Sequence, residues 1–206
     1  MMEFYEAVSK RRTVREFKME PVDPAIVKRV LGAGMMAPSG GHVQEWEFVL
    51  LMDPEAKKSA IVDGLKARDL TDPEAIERLV SRFEHEELRL VYRRSLPLQR
   101  SMMLEAPEVL VVCYKPNKPL KDVKSYFELN PLGSIWMCIQ NVMLALAAEG
   151  LYGCTYTAYE TSGLKRHLGI PDEYEVASII PFGYPKHDVK PHNAIDVTDR
   201  MHIDKW

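Results

Sequence analysis

RRTVREF, residues 11–17, sets Arg11, Arg12 and Arg15 around one hydroxyl, that of Thr13, and closes on an aromatic ring. With Lys10 just before it, the segment concentrates positive charge in a chain whose formal net charge is -3. Two readings fit. A charged run beside a short apolar segment is the ordinary solvated end of a helix. Arginines around a hydroxyl also form a grip for a phosphate or an anionic ring, because a guanidinium fork pairs with such oxygens two bonds at a time.

Further along, APSGGHVQEWEF (37–48) places Pro38, Ser39, Gly40 and Gly41 between a helical stretch and a strand. Residues this small make a turn whose backbone N–H groups stay open to a flat or anionic ligand. Trp46 and Phe48 then anchor the strand. Taken alone, this stretch reads equally well as a plain connecting loop.

The chain around these stretches is that of an ordinary globular protein. Its 206 residues suit a single domain with one excursion, and 46% are apolar against 28% charged. The acidic balance argues against nucleic acid as a partner, since such domains carry a basic excess. Cys113, Cys138 and Cys154 lie in apolar runs without metal-ligand spacing, which reads as buried, reduced thiols in a cytoplasmic protein. The first residues, MMEFYEAVSKRR, lack the apolar stretch of a signal peptide. The most hydrophobic segment, GSIWMCIQNVMLALAAEG (133–150), carries Gln140 and Asn141 at its middle and reads as a buried helix, so no membrane partner is expected.

Asp-Pro pairs mark the helix starts. Asp23-Pro24, Asp53-Pro54 and Asp72-Pro73 each supply a capping carboxylate and a proline at the first helical position. The first opens an apolar face at Ile26, Val27, Val30, Leu31 and Met35; the second opens a short helix to about Lys66. The third is expected to open one long helix over 73–96, dense in both signs of charge. Strands are expected at 47–52, 109–114, 152–157 and 176–182, short, β-branched or aromatic, and separated by helices. The tail from Gly183 has little periodicity and is expected to run extended over a surface.

Other motifs fall away. GAGMMA (32–37) matches the dinucleotide fingerprint in letters, but it ends a helix, whereas that fingerprint follows a strand and opens a helix. Its glycines read as close packing and helix termination. The six histidines have no metal-ligand spacing, and neither a GxSxG elbow nor a Walker loop occurs.

The two opening stretches together, followed in order by EAPEVLVVCY (105–114), SIWMCIQNVMLALAAEGLYGCTYT (134–157) and IIPFGYPKHDVKP (179–191), resemble the FMN-dependent nitroreductase family. The nearest likeness is to its iodotyrosine-deiodinase-like branch, which shares an RRTVR run and a PSG-small-His turn. The resemblance implies an α+β fold with a mostly antiparallel sheet wrapped by helices, an intertwined homodimer, and FMN at each subunit interface. It implies that Arg11, Arg12 and Thr13 hold the FMN phosphate and that Arg15 lies by the N1/O2 edge of the ring. Pro38, Ser39 and Gly40 then touch the flavin of the other subunit, Gly41 turns a backbone N–H to the substrate, and Thr157 sits beside flavin N5. A late cation is also implied; Val189 stands at its spacing, so Lys190 or Lys186 would substitute.

The stretch between about 55 and 100, lid-like in the family, departs from the deiodinase pattern. Leu88 stands where a zwitterion-binding glutamate would be, Tyr92 is the only tyrosine there, and Arg100 falls near a lysine position that meets a carboxylate. The leading expectation is therefore an FMN oxidoreductase that takes electrons from NADH or NADPH and gives them to a small aromatic acceptor, a nitroaromatic or a quinone. Reductive dehalogenation of a halophenol, and a flavin-binding protein without turnover, are the alternatives.

Overall fold

Seven consecutive buried residues, Glu108–Tyr114, form the central strand of the protein. In the computed structural model, which describes residues 3–190 and 196–206, this strand (β2) is paired on both sides. Strand β1 (Trp46–Leu51) lies antiparallel along one edge and β4 (Glu175–Gly183) antiparallel along the other, with β3 (Tyr152–Gly153) beyond it. The four-stranded sheet has the order β1-β2-β4-β3 and is antiparallel throughout.

Both faces of the sheet are covered, which is why residues 109–114 of β2 read as an unbroken apolar run. Leu110, Val112 and Tyr114 point to one side, where they join helix α2 (Pro24–Met35) and helix α7 (Asn130–Ala148) in one core. Val109, Val111 and Cys113 point to the other, into a second core with Ile61, Met102, Met103 and Leu164. The period-two alternation of a strand thus feeds two separate cores. Each fully buried side chain of this kind is worth about 1.5–3 kcal/mol against exposure.

The remaining helices surround this frame. Helix α1 (Phe4–Lys10) packs beside α7, and α3 (Pro54–Ser59) runs into a wider turn over Ala60–Gly64 that meets α8 (Ser162–Leu168). All three Asp-Pro starts hold: Asp23, Asp53 and Asp72 each accept a backbone N–H of the helix they open. From α3, the buried ammonium of Lys57 donates to the carbonyl of Ala106, pinning the helix to the start of β2. Burial pushes the Lys57 ammonium down and the adjacent Glu108 carboxyl up.

Two expectations about elements are corrected. The single helix over 73–96 is broken into α4 (Pro73–Val80) and α5 (Glu86–Ser95), ahead of α6 (Ser101–Glu105). Between α4 and α5, Phe83 folds back to stack on Tyr92 at 4.6 Å, and its carbonyl accepts from Arg89 Nε at 2.7 Å. Burial of that ring over Val80 and Leu96 outweighs the helical propensity of the intervening residues. The strand over 152–157 shrinks to β3 and one isolated bridge, Tyr156 to Ile179. Of the tail, residues 191–195 lie outside the described residues, and 196–206 are exposed, with one turn at Val197–Asp199 capped by Asp196.

Of the two glycines in GAGMMA, Gly34 is the packing position, and neither ends the helix. Helix α2 runs through both glycines to Met35, and a Cβ on Gly34 would stand 2.7 Å from Val142 Cγ2 and 3.2 Å from Cys138 Sγ on α7. A Cβ on Gly32 would meet nothing within 4 Å. Gly34→Ala is accordingly expected to destabilise the fold by about 1–3 kcal/mol through overpacking against a stiff β-branched neighbour. Gly32→Ala is expected to stabilise it by up to about 1 kcal/mol through helix propensity. Urea midpoints of the two variants check this pair; equal shifts would contradict the close α2–α7 approach.

Candidate functional site

The arginine segment is not a free helix end. Helix α1 stops at Lys10, and residues 13–18 run on as extended chain bound to the edge of the sheet. Thr13 bridges Gly153 in parallel, and Val14 N–H donates to the Gly153 carbonyl at 3.1 Å. Lys18 N–H donates to Tyr184 at 2.9 Å, and Lys186 N–H donates back to Glu16 at 3.1 Å. A side chain on Gly153 would bring its Cβ to 3.0 Å from the Pro181 carbonyl, so the glycine lets the strands close at this edge. Phe17, buried, anchors the segment in the second core.

That ladder brings the chain near its start against the chain after β4, and a groove of about 330 Å³ opens where they meet. Arg12, Thr13, Arg15 and Lys190 all line it, with Val14 and Val189 as apolar wall. Arg94 and Leu98, which lie at and just beyond the end of α5, also line it. Glu16 and Asp188 are the acidic members, and Glu16 lies 3.8 Å from His187 across the two strands. Beneath the segment, burial pushes the Cys154 thiol up, against the pull of Arg15. The thiol of Cys113 is pushed up to about 12 and that of Cys138 to about 11, also by burial, so all three free cysteines are held as thiols.

The small-residue turn builds a second concavity. Ser39, Gly40 and Gly41 line a cavity of about 280 Å³ together with Trp46, Phe127 and Asn130. Gly40 N–H donates to Ser134 Oγ of α7 at 3.0 Å, and Gln44 Nε2 donates to the carbonyls of Met35 and Ala37 at 2.8 and 3.2 Å. Backbone φ is +64° at Gly41, +58° at His42 and, past a right-handed Val43, +47° at Gln44, a conformation that non-glycine residues seldom adopt. Such strain persists where surrounding bonds over-determine it, and it is concentrated at ligand-handling loops. Pro38 lines an adjoining cavity with Ser39, Gly40 and Met137.

Within one chain the expected site residues therefore fall into two sets. Arg12, Thr13, Arg15 and Lys190 are together; Pro38, Ser39, Gly40 and Gly41 are together; the groove of the first set and the two cavities of the second share no lining residue. Arg11 caps the end of α1, and neither it nor Lys186, whose N–H donates to Glu16, lines the groove. Thr157 is exposed just past the Tyr156 bridge. Arg100 starts α6, its N–H donating to Asp69 at 2.6 Å, and it stands outside the groove. Arg94 is the groove arginine that the sequence did not suggest; its only signal there is its position in a charged helix.

Comparison with known proteins places the fold and the family. The Nitroreductase family model matches residues 8–184, a span that holds the arginine segment, the small-residue turn and all four strands. A protein of Haliscomenobacter hydrossis named iodotyrosine deiodinase is 27% identical over 89% of this chain and 79% of its own length. A putative NADH dehydrogenase/NAD(P)H nitroreductase of Methanothermobacter thermautotrophicus is 22% identical over 100% of this chain and 88% of its own. The chain spans from 62% to 92% of the length of the deiodinases it matches. Among solved structures, an oxidized iodotyrosine deiodinase bound to FMN and 3-iodo-L-tyrosine superposes with a TM-score of 0.72 at 20% identity, covering 99% of this chain and 100% of that one. Fold, motif order and a family match over most of the chain lead to one conclusion: this protein belongs to the nitroreductase family.

Proposed function

We propose that the chain is an FMN-dependent oxidoreductase that passes electrons from NADH or NADPH to a small aromatic acceptor, a nitroaromatic or a quinone. The observation that carries this reading is the convergence of Arg12, Thr13, Arg15 and Lys190 on one groove with apolar walls. Such a lining suits a phosphate and a flat ring at once: two guanidinium groups, an ammonium and a hydroxyl for the anion, valine and leucine surfaces for the ring. FMN, when bound, supplies hydride acceptance and electron transfer.

The chain's own groups bind and bias. Arg12, Thr13 and Lys190 would hold the phosphate, and Arg15 would favour an anionic reduced ring by fixed positive charge. No protein proton donor is needed for hydride delivery. The second set of residues is supplied by another copy of the chain. Helix α1, helix α7 against which it packs, and the turn before α7 expose Tyr5, Val8, Tyr126, Phe127 and Met137, large apolar side chains that a partner would take out of water. A homodimer covers it and brings Pro38–Gly41 of one subunit to the groove of the other.

Reductive dehalogenation is the second reading, favoured by the deiodinase relatives and by the hydroxyl of Thr157. In α5, Leu88 stands where the glutamate of a zwitterion-binding pair would be, so a simple halophenol is the better dehalogenation substrate.

The protein is expected to sediment as a dimer carrying one FMN per subunit; a flavin-bound monomer would contradict the shared site. Arg12→Ala is expected to weaken FMN binding by about 1.5–3 kcal/mol, the worth of a hydrogen bond to a charged group. Fluorescence titration of the apoprotein reads this directly, and unchanged affinity would remove the phosphate role. Thr157→Ala is expected to keep FMN bound and to lower dehalogenation of an iodophenol more than reduction of a nitroaromatic, an effect of about tenfold or less for one neutral hydrogen bond. Equal losses on both substrates would dismiss the second reading.

A further inference from the structure

We propose that the cavity between α3 and the start of β2 is a second ligand site, which takes a small primary ammonium with an apolar body. The site stands independently of the oxidoreductase reading. It measures about 360 Å³ and shares no lining residue with the groove or with the cavities of the small-residue turn. Lys57 and Glu108 both line it, and they are the only buried side chains of formal charge among the described residues. Lys57 is committed: its ammonium donates to the carbonyl of Ala106 and, at 3.5 Å, to that of Pro107. Glu108 is not. Its Oε2 is the one buried side-chain oxygen or nitrogen among the described residues without a hydrogen-bond partner. Burial pushes the Glu108 carboxyl up and outweighs the pull of the Lys57 charge. A buried acceptor left alone forfeits its hydration with nothing in return, so the cavity holds an unmet demand for a donor.

The walls name the rest of the ligand. Met19, Met52, Leu104 and Pro107 give the cavity an apolar lining. Leu51 pairs with Val109, so Met52 stands next in register, opposite Glu108 where the β1–β2 ladder ends. Met19 is 83% exposed and Met52 44%, and methionine side chains are flexible and polarizable. These two part to admit a ligand to Oε2 and close on its apolar body. The charged groups of the lining decide the sign: Glu55, Glu105 and Glu108 are acidic, against Lys57 and Lys58. That balance draws in a cation rather than an anion. An ammonium brings three donors and a charge, and its bond to a carboxylate is stronger than that of a neutral donor. Lys57 does not fill this role, because its N–H groups are turned to the two carbonyls.

The test uses the purified, flavin-loaded protein and three probes of similar shape. These are 2-phenylethylamine, 2-phenylethanol and 3-phenylpropanoate, which are cationic, neutral and anionic at neutral pH. Calorimetric titration reads each affinity, while flavin absorbance follows whether FMN stays bound. The amine is expected to bind saturably below about a millimolar, and at least about tenfold more tightly than the alcohol. Glu108→Gln keeps the shape of the side chain and removes its charge, and it is expected to bring the amine down to the level of the alcohol. Met52→Lys adds a cation to the wall at an exposed position, so its fold stands even where that of Glu108→Gln does not. It is expected to weaken the amine about tenfold and the alcohol much less. An amine no tighter than the alcohol, or an anion as tight as the amine, overturns the proposal. So does an amine affinity unchanged in either variant, or FMN released as the amine binds, which would put the amine in the groove. Absence of flavin from the purified protein would fail the oxidoreductase reading, and the same titrations would still decide this site.

Discussion

The backbone ladder between residues 13–18 and the sheet edge at Gly153 and Tyr184–Lys186 is the constraint on which the rest of the site depends. Arginine side chains are long and costly to order, with about 2 kcal/mol of rotamer entropy in each. A cluster of them binds an anion well only where their backbones are already fixed. Here N–H and carbonyl groups on both sides of the segment are paired, and Phe17 is buried beneath it. Positive charge that would otherwise fray at a helix end is therefore held on a rigid strand.

The same logic governs the small-residue turn. Its left-handed residues are tied by Ser39, Gln44 and Ser134, and Ser134 belongs to α7, the helix that packs on the sheet. Close approach of α2 to α7 at Gly34 sets where that turn begins. Two cores, one on each face of β2, thus support two halves of a binding site. The halves are separate in one chain and are completed, on the proposed reading, by a second chain.

Much of this was legible in the sequence, for local reasons. The Asp-Pro starts state a cap and a first helical residue in adjacent letters, and each caps its helix. The apolar run at 109–114 is a strand with two buried faces, and only length separates that pattern from a buried helix. What failed was decided by tertiary contact. Nothing local in SRFEH (81–85) says that Phe83 will leave the helix to stack on Tyr92. Nothing local in YGCTYT says that pairing will lapse between Gly153 and Tyr156. Arg12, Thr13 and Arg15 were visible because they share seven letters of chain with their neighbours, whereas Arg94 reaches the groove only through the fold of a distant helix.

The central claim is that the groove of Arg12, Thr13 and Lys190 is a phosphate site, and it is tested most directly by removing the phosphate from the ligand. Riboflavin keeps the ring and loses the dianion. Titration of the apoprotein with each flavin, under one buffer and salt, compares them without altering the protein. Two or more charge-assisted bonds are worth about 3 kcal/mol or more, so FMN should bind at least about a hundredfold more tightly than riboflavin. Equal affinities for the two flavins would contradict the account.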